Sequence, residues 1–398
     1  MKKTLATAIL VALGCVSAAS QAEVRFNGFA SIVAGTTMDE DQSLFGYSDG
    51  ISFKPESLFA LQASSDLSEG LTATAQLMAR GENDFNAEFE WAYLTYELSH
   101  SAQISAGRMR IPFYRYSDFL DVGYAYNWVR PPQSVYRMVF STYDGISALY
   151  NHSIGYWDSS IQVVYGAYEG DINLLSNNDP SELSGITGVN WTVGNDWLTA
   201  RAVYMMAETS ISFENDPDPA QTLNQGIALF GATFPAAASG LEVKEDDGTF
   251  FGLGVTMDLG DFIIDSEITS VEVDDSIVAT QEQFYISVGY RLDGMVIYGV
   301  YESSEDKNDD NYSADLPAYV NHPVLGDVFP QATYRALLMS QDQEVTEYSL
   351  GAKFDFHPAA NFKVEYSIRE TTNFDVNTMA MVDQDDRNVL SAGINVVF

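Results

Sequence analysis

The sequence predicts an all-β fold, a closed antiparallel transmembrane β-barrel of about 16 strands with long loops at one end. Three observations carry that prediction. Long segments alternate apolar and polar residues with period two, the connectors alternate short and long, and the last strand is apolar along one whole face up to Phe398. The 398-residue chain has 56 acids against 19 bases, a formal net charge of −37. Its mean hydropathy is −0.08.

The first element is "MKKTLATAILVALGCVSAASQA". Lys2 and Lys3 precede an apolar run from about Leu5 to Val16, and Ser20-Gln21-Ala22 fits a small-x-small cleavage site, so residues 1–22 read as a cleaved signal peptide. The run is too short to span a bilayer as a helix. A lipoprotein reading of Cys15 is disfavoured, because Ala12 stands where a lipobox wants Leu. Cys15 is the only cysteine, so the expected mature chain, 23–398, excludes disulfides, zinc-thiolate sites and cysteine nucleophiles. No Pro-, Ser- or Gln-rich linker divides those residues, and no later run of 18 apolar residues marks a membrane helix.

The strands follow. In "QFYISVGYRL", Phe284, Ile286, Val288, Tyr290 and Leu292 oppose Gln283, Ser287, Gly289 and Arg291. "EYSLGAKFDFH" and "NFKVEYSIRE" repeat the pattern. Short turns are expected at 68–70, 99–101, 155–156, 194–196, 260–261, 293–294 and 357–358. Long loops are expected near 39–57, 82–86, 113–143, 170–184, 214–248, 274–279, 307–345 and 374–387. Seven short turns and eight long loops connect sixteen strands, an even number that closes without a free edge. The chain ends "LSAGINVVF", with Leu390, Ala392, Ile394, Val396 and Phe398 on one face.

That ending, behind a signal peptide and alternating strands, resembles the outer-membrane porins of Gram-negative bacteria. "GRMRIPFYRYSDFLDVGYAYNWVRPP" also resembles a motif of one proteobacterial porin branch. The resemblance implies an outer-membrane location and a barrel, usually a homotrimer, through which ions and small hydrophilic solutes diffuse passively. It also implies contact with outer-membrane lipid and lipopolysaccharide, and recognition of Phe398 by the barrel-insertion machinery. No cofactor, metal or nucleic-acid partner is implied.

Parity then assigns the lumen. If the apolar face meets lipid, Arg80, Arg201, Arg291, Lys353, Lys363 and Arg369 point inward, with Asp258, Asp265, Glu267, Glu347, Asp355 and Glu365. This predicts a polar, wet interior and excludes an apolar-filled one. The third loop, 113–143, is unlike the other loops. Phe113, Tyr114, Tyr116, Phe119, Tyr124, Tyr126 and Trp128 would be costly to leave in water. In the resembling family this loop folds inward and narrows the pore; a lid over the mouth and a contact with a neighbouring subunit are the alternatives. Arg108, Arg110, Arg115, Arg130 and Arg137 fall in or beside the loop with Asp118 and Asp121, and these seven with Arg80 are the expected constriction and selectivity residues. Arg108 and Arg110 share parity with Ile104 and Ala106, so pointing them inward requires a bulge at Gly107.

Acidic runs such as "SEDKNDDN" and "DQDDR" fall in or beside outer loops, as solubilising charge or as ligands for divalent cations bridging to lipopolysaccharide. The four histidines are scattered and Asn151-His152-Ser153 cannot form a triad, since neighbouring strand residues point to opposite faces, so no enzyme is expected. A solute-selective channel of anion or phosphate type built on the arginine-rich loop, and a non-conducting structural or adhesive barrel, remain the alternatives.

Overall fold

Sixteen antiparallel strands pair in one ring that closes between the first and the last. The structure, a computed structural model, describes residues 23–174, 179–213, 219–231, 233–322 and 326–398. The expected signal peptide, 1–22, lies outside these residues. In order the barrel strands are β1 Val24–Thr37, β2 Leu58–Ser68, β3 Leu71–Arg80, β4 Ala87–Ser99, β5 Ala102–Arg110, β6 Thr142–Ile154, β7 Trp157–Ile172 and β8 Asp179–Gly194. They continue as β9 Leu198–Ile211, β10 Val243–Asp258, β11 Phe262–Val273, β12 Thr280–Leu292, β13 Met295–Lys307, β14 Gln343–His357, β15 Ala360–Asp375 and β16 Arg387–Val397. All seven short turns fall where the sequence placed them.

The exposure pattern inverts that of a soluble protein. Glu347 is 1% exposed while Leu350 on the same strand is 64% exposed. The outward face is meant for hydrocarbon, so the large apolar side chains stand outside. Among the described residues no helix is long and apolar enough to cross a membrane, so crossing falls to the strands.

The seam is closed by the chain's end. Phe29 to Thr37 of β1 pair with Val397 to Val389 of β16. Gly28 and Phe398 exchange backbone hydrogen bonds of 2.8 and 2.9 Å. The Phe398 ring stacks on Phe59 with centroids 6.0 Å apart and fills the space a Cβ at residue 28 would need.

Two expected loops are shorter than the sequence suggested. β7 runs to Ile172 and β8 resumes at Asp179, inside the expected 170–184 loop. β10 begins at Val243, inside the expected 214–248 loop. Bulges explain both: register shifts lie between Ser184 and Thr187 and between Val243 and Asp246, and an extra residue breaks the two-residue period.

The long loops after β9 and β13 carry helices that the alternation did not reveal. These are α1 Pro219–Gly231, α2 Pro235–Ser239 and α3 Pro330–Leu338. Leu223, Phe230, Ala237, Leu241, Ile277, Leu316, Tyr334 and Leu338 form a second apolar cluster, with the rings of Phe230 and Tyr334 5.8 Å apart. Each helix opens on a proline, whose fixed φ suits the first helical turn.

Candidate functional site: the third loop and the inner wall

The loop between β5 and β6 closes at its base through Ile111 N donating to Ser141 O at 2.9 Å. Most of its rings are buried; Phe119, Tyr124 and Phe140 are half-buried. Phe113, Tyr114, Tyr116, Tyr126, Trp128, Val135 and Tyr136 are buried in one cluster with Val164, Val203, Met205, Phe250, Tyr285, Tyr298 and Val300 of the wall. Trp128 lies 5.3 Å from Tyr116 and 5.7 Å from Tyr285 between ring centroids. The inward acids and bases are where parity puts them, but beneath the loop the interior is apolar, which the sequence reading excludes. The largest apolar cluster joins the loop to inward-facing wall residues, and burying several rings stabilises the loop by roughly 1.5–3 kcal/mol each.

Polar anchors tie the same loop to strands far along the chain. Arg115 N donates to Glu267 at 2.6 Å, and the Tyr116 hydroxyl to Asp265 at 2.8 Å, both on β11. Trp128 Nε1 donates to Ser287 of β12 at 2.8 Å. On β13, Ser134 N donates to Glu302 at 2.9 Å and Arg137 to Asp306 at 2.9 Å. Arg130, buried, is held by Glu56 at 2.6 Å, by Glu365 of β15 at 2.9 Å and by Ser391 of β16. Lys363, fully buried, donates to the carbonyls of Gly123 and Trp128 and sits 4.2 Å from the Tyr126 centroid. Buried charges survive only with such partners, so these inward acids and bases act as fasteners of the loop.

Towards β1–β5 the loop meets the wall differently. Arg80 reaches Glu90 at 2.8 Å and Asp121 at 3.2 Å. Arg110 reaches Glu90 at 2.6 Å and also pairs with Asp121, its guanidinium 5.3 Å from the Trp91 centroid. Two bases and one acid of the wall thus share a cluster with Asp121, the loop's one member. Burial pushes the Asp121 carboxyl up, but Arg110 and Arg80 outweigh it and hold the group below its ordinary value. Beside this cluster is a cavity of about 230 Å³ lined by Ser31, Glu56, Ser57, Arg80, Asp121 and Arg130, among others. Asp118 is exposed on the loop, and among the described residues Arg115 makes no ion pair within 4 Å.

Arg108 does not join them. β5 pairs without a break with β4 through Gly107 and with β6 from Ala102 to Arg110. The expected bulge at Gly107 is therefore absent, although its φ is +135°. Arg108 stays on the face of Ile104 and Ala106, half exposed, and pairs bidentately with Asp144 at 2.9 and 2.7 Å. The bulge is on β4 instead: Gln76 opposes Trp91, Leu77 opposes Phe89, and Glu90 is the extra residue, aimed at the two arginines. Arg110, the last residue of its strand, turns in to meet it. Sequence reasoning thus missed Glu90, Glu56 and Glu302, the first hidden by its bulge and the others outside the quoted alternating stretches. It also places Asp306 outside, in the run "SEDKNDDN", whereas Asp306 is buried on β13 and pairs with Arg137. Among the described residues no group of three His, Cys, Asp or Glu is placed to hold a metal ion.

The barrel matches solved outer-membrane proteins at low identity. A loop-deletion form of OmpT of Vibrio cholerae matches with a TM-score of 0.58 and 14% identity over 95% of this chain and 100% of that one. The anion-selective porin from Comamonas acidovorans gives 0.58 and 12% over 95% and 100%, and the outer membrane channel DcaP of Acinetobacter baumannii 0.56 and 14% over 95% and 99%. Among curated protein sequences none matches. The profile of the Gram-negative porins matches residues 6–395. With the closed barrel, that match places the protein in the outer membrane as a diffusion channel: the chain belongs to the Gram-negative porin family.

Proposed function

We propose that this porin's constriction is the gap between the third loop, 113–143, and the β1–β5 wall, and that ions and small hydrophilic solutes pass there. The observation that carries the reading is the four-charge cluster of Arg80, Arg110, Glu90 and Asp121, which pins the loop to the β3–β5 wall beside the cavity of about 230 Å³. Facing rows of opposite charge set up a transverse field that orients dipolar solutes. Because Arg80, Arg110, Arg130 and Arg137 each have a carboxylate partner, the arginine-rich loop does not add up to an anion trap. The channel is read as weakly selective, with the acidic mouth favouring cations. Arg115, without an ion pair among the described residues, is the observation that favours the anion-selective alternative.

The working form is read as a homotrimer in outer-membrane lipid, with no catalytic role. Phe398, locked against Gly28 and Phe59, is read as part of the signal for the insertion machinery. Planar-bilayer recordings in a salt gradient test the channel reading. Steady ATP-independent pores are expected, and a silent bilayer from correctly folded protein would count against it. Removal of Phe398 should cut membrane yield, and an unchanged yield would contradict its role.

A further inference from the structure

The tail of the third loop leaves a hollow that the constriction does not use. Phe113, Phe140, Leu183, Met205, Phe250 and Val271 are among the residues lining a cavity of about 110 Å³. It lies between the loop and the long-loop halves of β7–β11. Val139, which also lines it, is 43% exposed, so the hollow reaches solvent. Ala207, paired with Gly248 across β9 and β10, puts little side chain into it, while Thr209 packs over Gly248. Its few polar groups include Arg137 and Gln281, and Arg137 is already shared with Asp306.

An apolar hollow of roughly 100–150 Å³ matches a ring-sized apolar guest, and water inside it finds few polar partners. We infer that this cavity is a binding subsite for the apolar group of a small amphipathic solute, of the size of one aromatic ring, whose carboxylate or other polar end stays in water at the rim. Arg137, committed to Asp306, lends the rim polarity without demanding a free anion. The subsite would retain ring-bearing solutes in the outer part of the channel and leave compact hydrophilic ones unaffected. It rests on the channel reading only for its consequence in transport; binding itself does not require conduction.

The test uses the full chain folded in detergent, with benzoate and acetate as probes sharing one carboxylate. Saturation-transfer NMR should show transfer to the benzoate ring and none to acetate. Ala207→Leu and, separately, Val271→Phe fill the hollow, and each should weaken benzoate binding about tenfold, as loss of a ring-sized apolar contact does. Heat-resistant mobility on gels confirms that each variant is folded, and two variants guard against one failing. Equal transfer to benzoate and acetate, or undiminished benzoate binding in a folded filled variant, overturns the proposal. Benzoate binding by a protein that conducts no current would sink the channel reading and leave this one standing. Normal conductance without benzoate binding would do the reverse.

Discussion

The β11–β15 wall and the β1–β5 wall carry the same alternation of side chains, yet their inward charges end in different settings. Along β11–β15, Asp265, Glu267, Glu302, Glu347, Lys363 and Glu365 are buried beneath the third loop. Along β1–β5, Gln62, Arg80, Trp91, Tyr93 and Thr95 are only half-buried, and Arg80 lines a cavity the loop does not fill, although Glu90 beside it is buried. Parity says which way a side chain points. What covers it decides whether it fastens a loop or meets a solute.

Breaking the covered side should cost most. Arg130→Ala leaves the buried Glu365 and the half-buried Glu56 without their ion pair, and should lower stability by about 3–5 kcal/mol. Thermal unfolding in detergent measures that loss, and single-channel traces should become larger and noisier as the loop loosens. A smaller effect is expected for Lys363→Met, which leaves the carbonyls of Gly123 and Trp128 without their donor, at about 2 kcal/mol by the same melt.

The cluster where the loop meets β3–β5 should respond to acid. Because Asp121 is held below its ordinary value, its contribution is complete above the unfolded carboxylate range and is lost as pH falls through the lower folded value. Conductance that depends on Asp121 should therefore stay constant from neutral pH to about 4 and change only below it. A step between pH 6 and 7 would place the controlling group elsewhere. Arg108→Gln should do least: its exposed pair with Asp144 lies on the outward face, so reversal potential should not move.

Most of the fold was legible. Period two and turn residues located all seven turns and sixteen strands. The alternation failed where bulges insert a residue, at Gly185, at Glu245 and at Glu90. It was silent on the helices of the outer loops, where proline was the only cue. The loop's aromatic content correctly signalled burial. Its acidic partners did not show, because Arg130 meets Glu56 and Glu365 at separations of 74 and 235 residues, and only barrel closure brings such positions together. The same closure explains why part of the lumen is apolar: parity can count inward charges, but it cannot see the loop that covers them.

The central claim is that the narrowest gap lies at the Arg80–Arg110–Glu90–Asp121 cluster. It is tested most directly by the reversal potential of the Arg80→Gln, Arg110→Gln double variant in a salt gradient, with Arg108→Gln beside it. Removing two positive charges from that gap should shift permeability towards cations by about 1 kcal/mol, roughly fivefold, per charge. Arg108→Gln should match the unaltered protein. If the double variant leaves the reversal potential unchanged, or Arg108→Gln shifts it as much, the constriction is not where the third loop meets β3–β5.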